Sequence, residues 1–192
     1  MAAQFSYPEP GGRQPAPGRL HIVQDFANAH FAEAPQGDRE RPQETVTAWM
    51  RRHGLIPRGL TLTPRDVKRT LELRGLVRGA IEANHGGRAA QRALRELNNA
   101  LAPATMRVTF DASGAPSITA TAPGIDGVFA RLAAIILAAH AEGDWRRLKI
   151  CPADDCRWAF YDASKNRSGA WCSMSDCGNR AKARTFRQHR QT

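Results

Sequence analysis

Cys151-Pro152-Ala153-Asp154-Asp155-Cys156 and Cys172-Ser173-Met174-Ser175-Asp176-Cys177 hold all four cysteines of the chain, as two pairs with identical spacing. Four residues separate the cysteines within each pair, and fifteen separate one pair from the other. Two thiolate knuckles joined by a connector of that length can close an all-sulfur tetrahedron around one zinc ion. The second knuckle runs straight into Gly178-Asn179-Arg180-Ala181-Lys182-Ala183-Arg184, a basic stretch with no acid between it and Thr192.

The charge distribution points to the same quarter of the chain. Trp145–Thr192 carries 11 basic and 4 acidic residues, a net +7 out of the +10 of all 192 residues. The preceding 144 residues hold 17 bases against 14 acids. That skew suggests a polyanion met by the C-terminal segment, the alternative being a solvated basic tail. Met1–Gly18 is rich in Pro and Gly, lacks the apolar core of a secretory signal, and reads as a disordered leader. Val128–Ala139 is the most apolar run, but Arg131 interrupts it and it is too short to span a bilayer. A cytoplasmic protein with no membrane partner is therefore expected. In a reducing compartment metal-held thiolates are favoured, with disulfides or an iron–sulfur cluster as the alternatives.

Upstream of the knuckles the chain reads as mainly helical. Leu20–Asn28 is too short for periodicity to separate a strand from a helix, and Ala34–Pro42 is a polar loop. Glu44–His53 is helical, with Val46, Trp49 and Met50 on one face and Gly54 as its stop. Thr63, Pro64 and Asp66 open a helix that runs to about Asn84, followed by another over Arg88–Leu101. The period then changes to two: Thr105–Phe110 and Ser117–Ala120 flank a turn-rich Asp111–Pro116 and make a hairpin. A largely buried helix covers about Gly127–Ala141.

The fold class is thus α/β or α+β, a mainly helical N-terminal domain with a small antiparallel sheet and a C-terminal treble-clef-like zinc module. Its divisions are a leader at 1–18, a domain at 19–144 and the zinc module at 145–192. His21, His30, His53, His85 and His140 fall in different elements, in no ligand pattern. No phosphate loop or nucleophile elbow is present, so no catalytic residues and no enzyme are expected. Asp25 and Asn28 flank apolar Phe26, where they either cap or line a ligand cleft.

Within the zinc module, Arg157–Tyr161 alternates as a strand, Asp162–Gly169 turns, and Ala170–Cys172 returns. Trp158, Phe160 and Trp171 are read as its core rather than as base-stacking groups, because so small a module needs metal and aromatics for stability. A helix is expected over Asp176–Arg190. At 100° per residue it brings Arg180, Arg184, Arg187 and Gln191 into one stripe, with Phe186 off the stripe and available to anchor the helix. Asn179 either braces the zinc loop or offers its amide fork to adenine.

Cys177-Gly178-Asn179-Arg180 and its surroundings resemble the CGNR zinc-finger family over Cys151–Arg190. The resemblance includes Trp158–Asp162, Ser164, Asn166-Arg167, Trp171–Met174 and Arg180–Arg184. Members carry an N-terminal domain called ABATE with an early Asp-Phe-x-Asn motif, to which Asp25-Phe26-Ala27-Asn28 is similar, and Trp49-Met50 corresponds loosely to a later pair. The resemblance implies a bacterial, stress-induced transcription regulator whose finger binds DNA. One departure is Gly169-Ala170, where members often have a basic pair.

Together these readings give a structural zinc held by Cys151, Cys156, Cys172 and Cys177. Nucleic-acid contact is expected through Arg180, Lys182, Arg184, Arg187 and Arg190, with Asn179 beside them. The N-terminal domain is expected to sense a small-molecule effector or to mediate self-association as a homodimer. DNA is the expected partner; the rival readings are a finger that meets RNA or an acidic protein surface, and an N-terminal enzyme domain anchored by the finger.

Overall fold

The computed structural model describes residues 9–29, 46–56, 59–84 and 88–189. The expected loop at 34–42 and Arg190 lie outside these residues.

Leu20–Asn28 resolves as helix α1, and every one of its residues except His21 is buried. A strand would have wet alternate side chains; here the whole element runs through the interior. Helix α2 (Val46–Arg52) lays Val46, Trp49 and Met50 against it, with the Phe26 and Trp49 rings 5.5 Å apart. Helix α3 (Pro64–Ala83) begins with a capping box: the Asp66 amide donates to Thr63 Oγ1 at 3.2 Å, and the Thr63 amide donates back to Asp66 Oδ2 at 2.9 Å. Helix α4 (Arg88–Leu101) packs along α3, with Gly79 facing Ala93 at their contact. A methyl group there would sit 2.7 Å from the Ala93 Cβ, so only glycine permits this spacing.

The expected hairpin forms as β1 (Met106–Phe110) and β2 (Pro116–Ala120), antiparallel, with Val108 opposite Ile118. Alternation puts Met106, Val108, Phe110, Pro116, Ile118 and Ala120 on one face and Arg107, Thr109, Ser117 and Thr119 on the other. Helix α5 (Gly124–Ala141) then crosses the domain against α1, α4 and β2. By length and composition it could cross a membrane. However, Ile125, Val128, Phe129, Leu132, Ile135 and Ala139 are buried in the protein core, and Asp126 and Arg131 lie along it.

The second sheet departs from expectation. Strand β3 (Leu148–Ile150), before the first knuckle, pairs antiparallel with β4 (Ala159–Tyr161), after it, so the first knuckle is itself the hairpin turn. Residues 170–172 form no strand. Pairing across the first knuckle lets both strands bury their outer face. Leu148, Ile150, Ala159 and Tyr161 join the main apolar core, while Phe160 points the other way into a second cluster with Cys151, Ala153, Cys172 and Cys177. One three-residue strand therefore belongs to two cores.

The expected leader is also different where it is described. Residues 9–18 run along the zinc module as a strap, with a single 3-10 turn at Pro10–Gly12. Its Pro and Gly content shapes this path, and polar side chains fasten it: Ala16 is buried, and its amide donates to Gln24 Oε1 at 2.8 Å.

Candidate zinc centre and basic helix

The four cysteine sulfurs lie within 4.8 Å of one another. Cys156 and Cys172 are 3.5 Å apart and Cys172 and Cys177 are 3.7 Å apart. A zinc–thiolate bond of about 2.3 Å gives a tetrahedron with edges of about 3.8 Å, close to these two separations, so the cluster suits one zinc ion. All four cysteines are free of disulfides. Burial and the Cys156 sulfur push the Cys177 thiol up to about 11, and the same causes raise Cys172 further. Four thiolates so crowded repel, and a cation in their midst is what allows all of them to ionise. Zinc bound here would be structural, since four sulfurs leave no open position for a substrate.

Local backbone builds the site. In the first knuckle the Cys156 and Arg157 amides both donate to the Ala153 carbonyl at 3.0 Å, and Arg157 takes a left-handed φ of 54° to turn the chain back into β4. In the second, Met174–Gly178 is a single wide helical turn, started by Ser173 Oγ accepting from the Asp176 amide at 3.2 Å. Cys177 thus sits in this turn rather than in the first turn of the following helix, α6 (Asn179–His189). The Asn179 side chain donates to the Ser175 carbonyl at 3.1 Å, the bracing role rather than a free amide fork.

The Cys-Gly-Asn-Arg segment ends in an arginine that serves the metal site. Arg180 donates through Nη2 to Cys177 Sγ at 3.2 Å and through Nη1 to Asp176 Oδ1 at 2.8 Å. Its positive charge beside a four-thiolate site offsets part of the site's net −2. Arg184 donates to Asp155 Oδ2 at 3.2 Å, tying α6 back to the first knuckle. Two members of the expected stripe are thus spent on acids and sulfur of their own module. Lys182 and Arg187 are exposed and make no hydrogen bond or ion pair with another described residue. Phe186, expected to anchor the helix, is 62% exposed.

Behind the connector lies a buried ion pair. Lys149 Nζ meets Asp162 Oδ2 at 2.7 Å and also donates to the Arg167 and Gly169 carbonyls at 2.6 and 2.8 Å. Asp162 accepts in turn from the Gly169 amide at 2.8 Å and the Ser164 amide at 3.1 Å. Burial pushes its carboxyl upward, but Lys149 and Ser164 outweigh that and hold it at about 2. Gly169 packs directly on this carboxylate: a Cβ there would lie 2.7 Å from Asp162 Oδ1. A larger side chain at 169 therefore collides with a carboxylate that three hydrogen-bonding partners, Lys149, Ser164 and Gly169, fix in place.

Asp25 and Asn28 are interior residues, not the rim of a cleft. Asp25 Oδ2 accepts from Trp49 Nε1 at 3.0 Å and faces His53 Nε2 at 2.7 Å, so it joins α1 to α2. Asn28 grips β4 with both ends of its amide: Nδ2 donates to the Ala159 carbonyl and Oδ1 accepts from the Ala159 amide, each at 2.8 Å. Gln24, one turn earlier, donates to Glu9 Oε1 at 2.8 Å. Glu9 Oε2 accepts from Trp158 Nε1 at 3.3 Å. Arg13 donates to the Trp171 and Cys172 carbonyls at 2.8 and 2.6 Å and lies over the Phe160 ring. From α3, Arg78 donates to the Ala27 and Arg157 carbonyls, and Glu82 pairs with Arg157. The zinc module is thus held by α1, α3 and the strap. Glu9, Arg13, Gln24 and His53 escape the sequence reading; the available signal was two amides, Gln24 and Asn28, one turn apart on an otherwise apolar helix.

Residues 20–149 match the ABATE family, described as "Putative stress-induced transcription regulator", and residues 147–190 match the CGNR zinc finger. No curated protein matches the chain.

Proposed function

The chain belongs to the ABATE family and ends in a CGNR zinc finger; from this premise we propose that it is a transcription regulator that grips DNA with its zinc module while its N-terminal domain senses an effector. The carrying observation is the placement of charge: +7 of the net +10 lies in Trp145–Thr192, on a module whose helix is fixed by a four-cysteine clasp. A preorganised cationic helix binds phosphates with little ordering cost.

Lys182 and Arg187 are the contact residues on this reading, with Arg190 following them. Arg180 and Arg184 shape the helix that carries them, because their guanidinium groups already serve Cys177, Asp176 and Asp155. Zinc fixes the spacing of the knuckles and takes no part in chemistry, and a reducing cytoplasm keeps the four thiols available for it. One such module covers few base pairs, so two chains acting on a two-fold site would supply the specificity.

The test is binding of zinc-loaded protein to duplex DNA over a salt series, beside structured RNA of equal length. Replacing both Lys182 and Arg187 by Ala should lower the slope of log affinity against log salt by about 1.8. An unchanged slope removes α6 from the interface, and preference for RNA at every salt concentration overturns the DNA reading.

A further inference from the structure

A groove of about 680 Å³ opens in the N-terminal domain. Its floor is α5, through Ala134, Ile135 and Ala138, and one wall is the apolar face of the β1–β2 hairpin, through Val108 and Ile118. The other wall is the end of the strap and the start of α1, Pro17–Leu20. The apolar surface here is left wet: Val108 is 61% exposed, and Leu137 nearby on α5 is 51% exposed. Two-stranded hairpins gain little stability alone and usually need a partner on their apolar face.

The cations around the groove say what kind of partner fits. Arg19 lines it, and its side chain makes no hydrogen bond or ion pair with another described residue. Arg131 lines it as well and spends Nη1 on the Leu55 carbonyl at 3.0 Å, with no other hydrogen bond to a described residue. Glu142 is the one acid in the lining. The volume falls in the range of small-molecule sites, which combine apolar walls with a few convergent polar groups. We propose that this groove is the effector site of the N-terminal domain and takes an amphipathic organic anion, its apolar body against α5 and the hairpin and its acid group between Arg19 and Arg131.

The position also gives the ligand a route to the zinc module, which deepens the sensor role proposed above. The groove wall at Pro17–Leu20 continues into α1, one turn from Gln24 and two from Asn28. Gln24 is fully buried and holds both the strap, at Ala16 and Glu9, and the β4 carbonyl of Ala159 at 3.4 Å. A ligand that shifts the start of α1 therefore acts on the groups that fasten the finger.

Decanoate and 8-anilinonaphthalene-1-sulfonate are suitable probes, used on the full zinc-loaded chain without DNA, so that failure here is separable from failure of the DNA reading. Decanoate should displace the dye at a stoichiometry of one. Ala138→Trp, at an exposed position on the groove floor, should abolish both signals with zinc content unchanged. Ile118→Lys on the exposed hairpin serves the same purpose if Ala138→Trp does not fold. Arg19→Gln should weaken decanoate about fivefold while leaving decanol unchanged. Ligand should also change hydrogen exchange over residues 9–29, and Gln24→Ala should confine that change to the groove side. Dye binding that ignores both filling variants overturns the site. Equal loss of decanoate and decanol in Arg19→Gln overturns the anion. A concentration-dependent dimer that decanoate fails to dissociate would assign the groove to a second copy of the chain instead.

Discussion

Asp162 shows how much depends on one carboxylate in this fold. It is fully buried and fixed by Lys149, Ser164 and Gly169. Replacing it by Ala leaves the Lys149 ammonium buried without its counter-ion, and should cost about 3–5 kcal/mol in urea unfolding. Because its pKa is depressed to about 2 from an ordinary 3.8, its contribution is present above pH 4 and lost as pH falls through about 2. Glu9 has the opposite sign. Burial raises it from 4.5 to about 7, with Asp25 adding to that and Trp158 and Arg13 opposing. Its stabilising effect on the strap is therefore full below pH 4.5 and lost as pH rises through about 7. Tryptic cleavage after Arg13 should accelerate between pH 6 and 8 in the native chain relative to a Glu9→Gln variant. Equal acceleration in both would show that Glu9 is not the group responsible. At Gly169, where the resemblance implies a basic residue, the carboxylate of Asp162 occupies the space a side chain needs. Gly169→Arg should destabilise the module by about 1–3 kcal/mol and leave DNA affinity no higher.

Among the elements, the helices with strong local signals were legible in advance and the sheet of the zinc module was not. Thr63, Pro64 and Asp66 specify the start of α3 by hydrogen bonds within four residues, so no tertiary information is needed. The β1–β2 hairpin is equally local, with its turn residues between its strands. By contrast, β4 chooses β3 over residues 170–172 because its outward face is covered by a core assembled from five other elements, which no window of sequence displays. The cysteine spacing predicted the clasp correctly for the reason that four ligands of one type carry their own geometry. The basic stripe was harder: helical phase places Arg180, Arg184 and Arg187 together, but only the fold brings Asp155 and Asp176 to two of them. Asn28 belongs at this scale too. Asn28→Ala would strand the Ala159 amide in the interior and leave its carbonyl only the longer bond from Gln24, at a cost of about 1–3 kcal/mol, and should loosen β4 before any other strand in hydrogen exchange.

For the whole molecule, the two apolar clusters predict a stepwise response to metal loss. Chelation should free residues 151–158 and 170–189, whose cluster is built around the cysteines. Leu148, Ile150, Ala159 and Tyr161 are held by the larger core and should stay protected from exchange. Loss of protection throughout residues 20–161 on adding chelator would show the two cores to be a single cooperative unit. The strap carries a different consequence, one of timing. Arg13 bonds to the carbonyls of Trp171 and Cys172, 158 and 159 residues further along. During synthesis those partners follow Arg13 only after that length of chain has been made, so the early segment must wait with its arginine in water until the second knuckle emerges. Fastening of the strap therefore follows synthesis of the second knuckle and is completed when the two distant parts of the chain meet over Phe160.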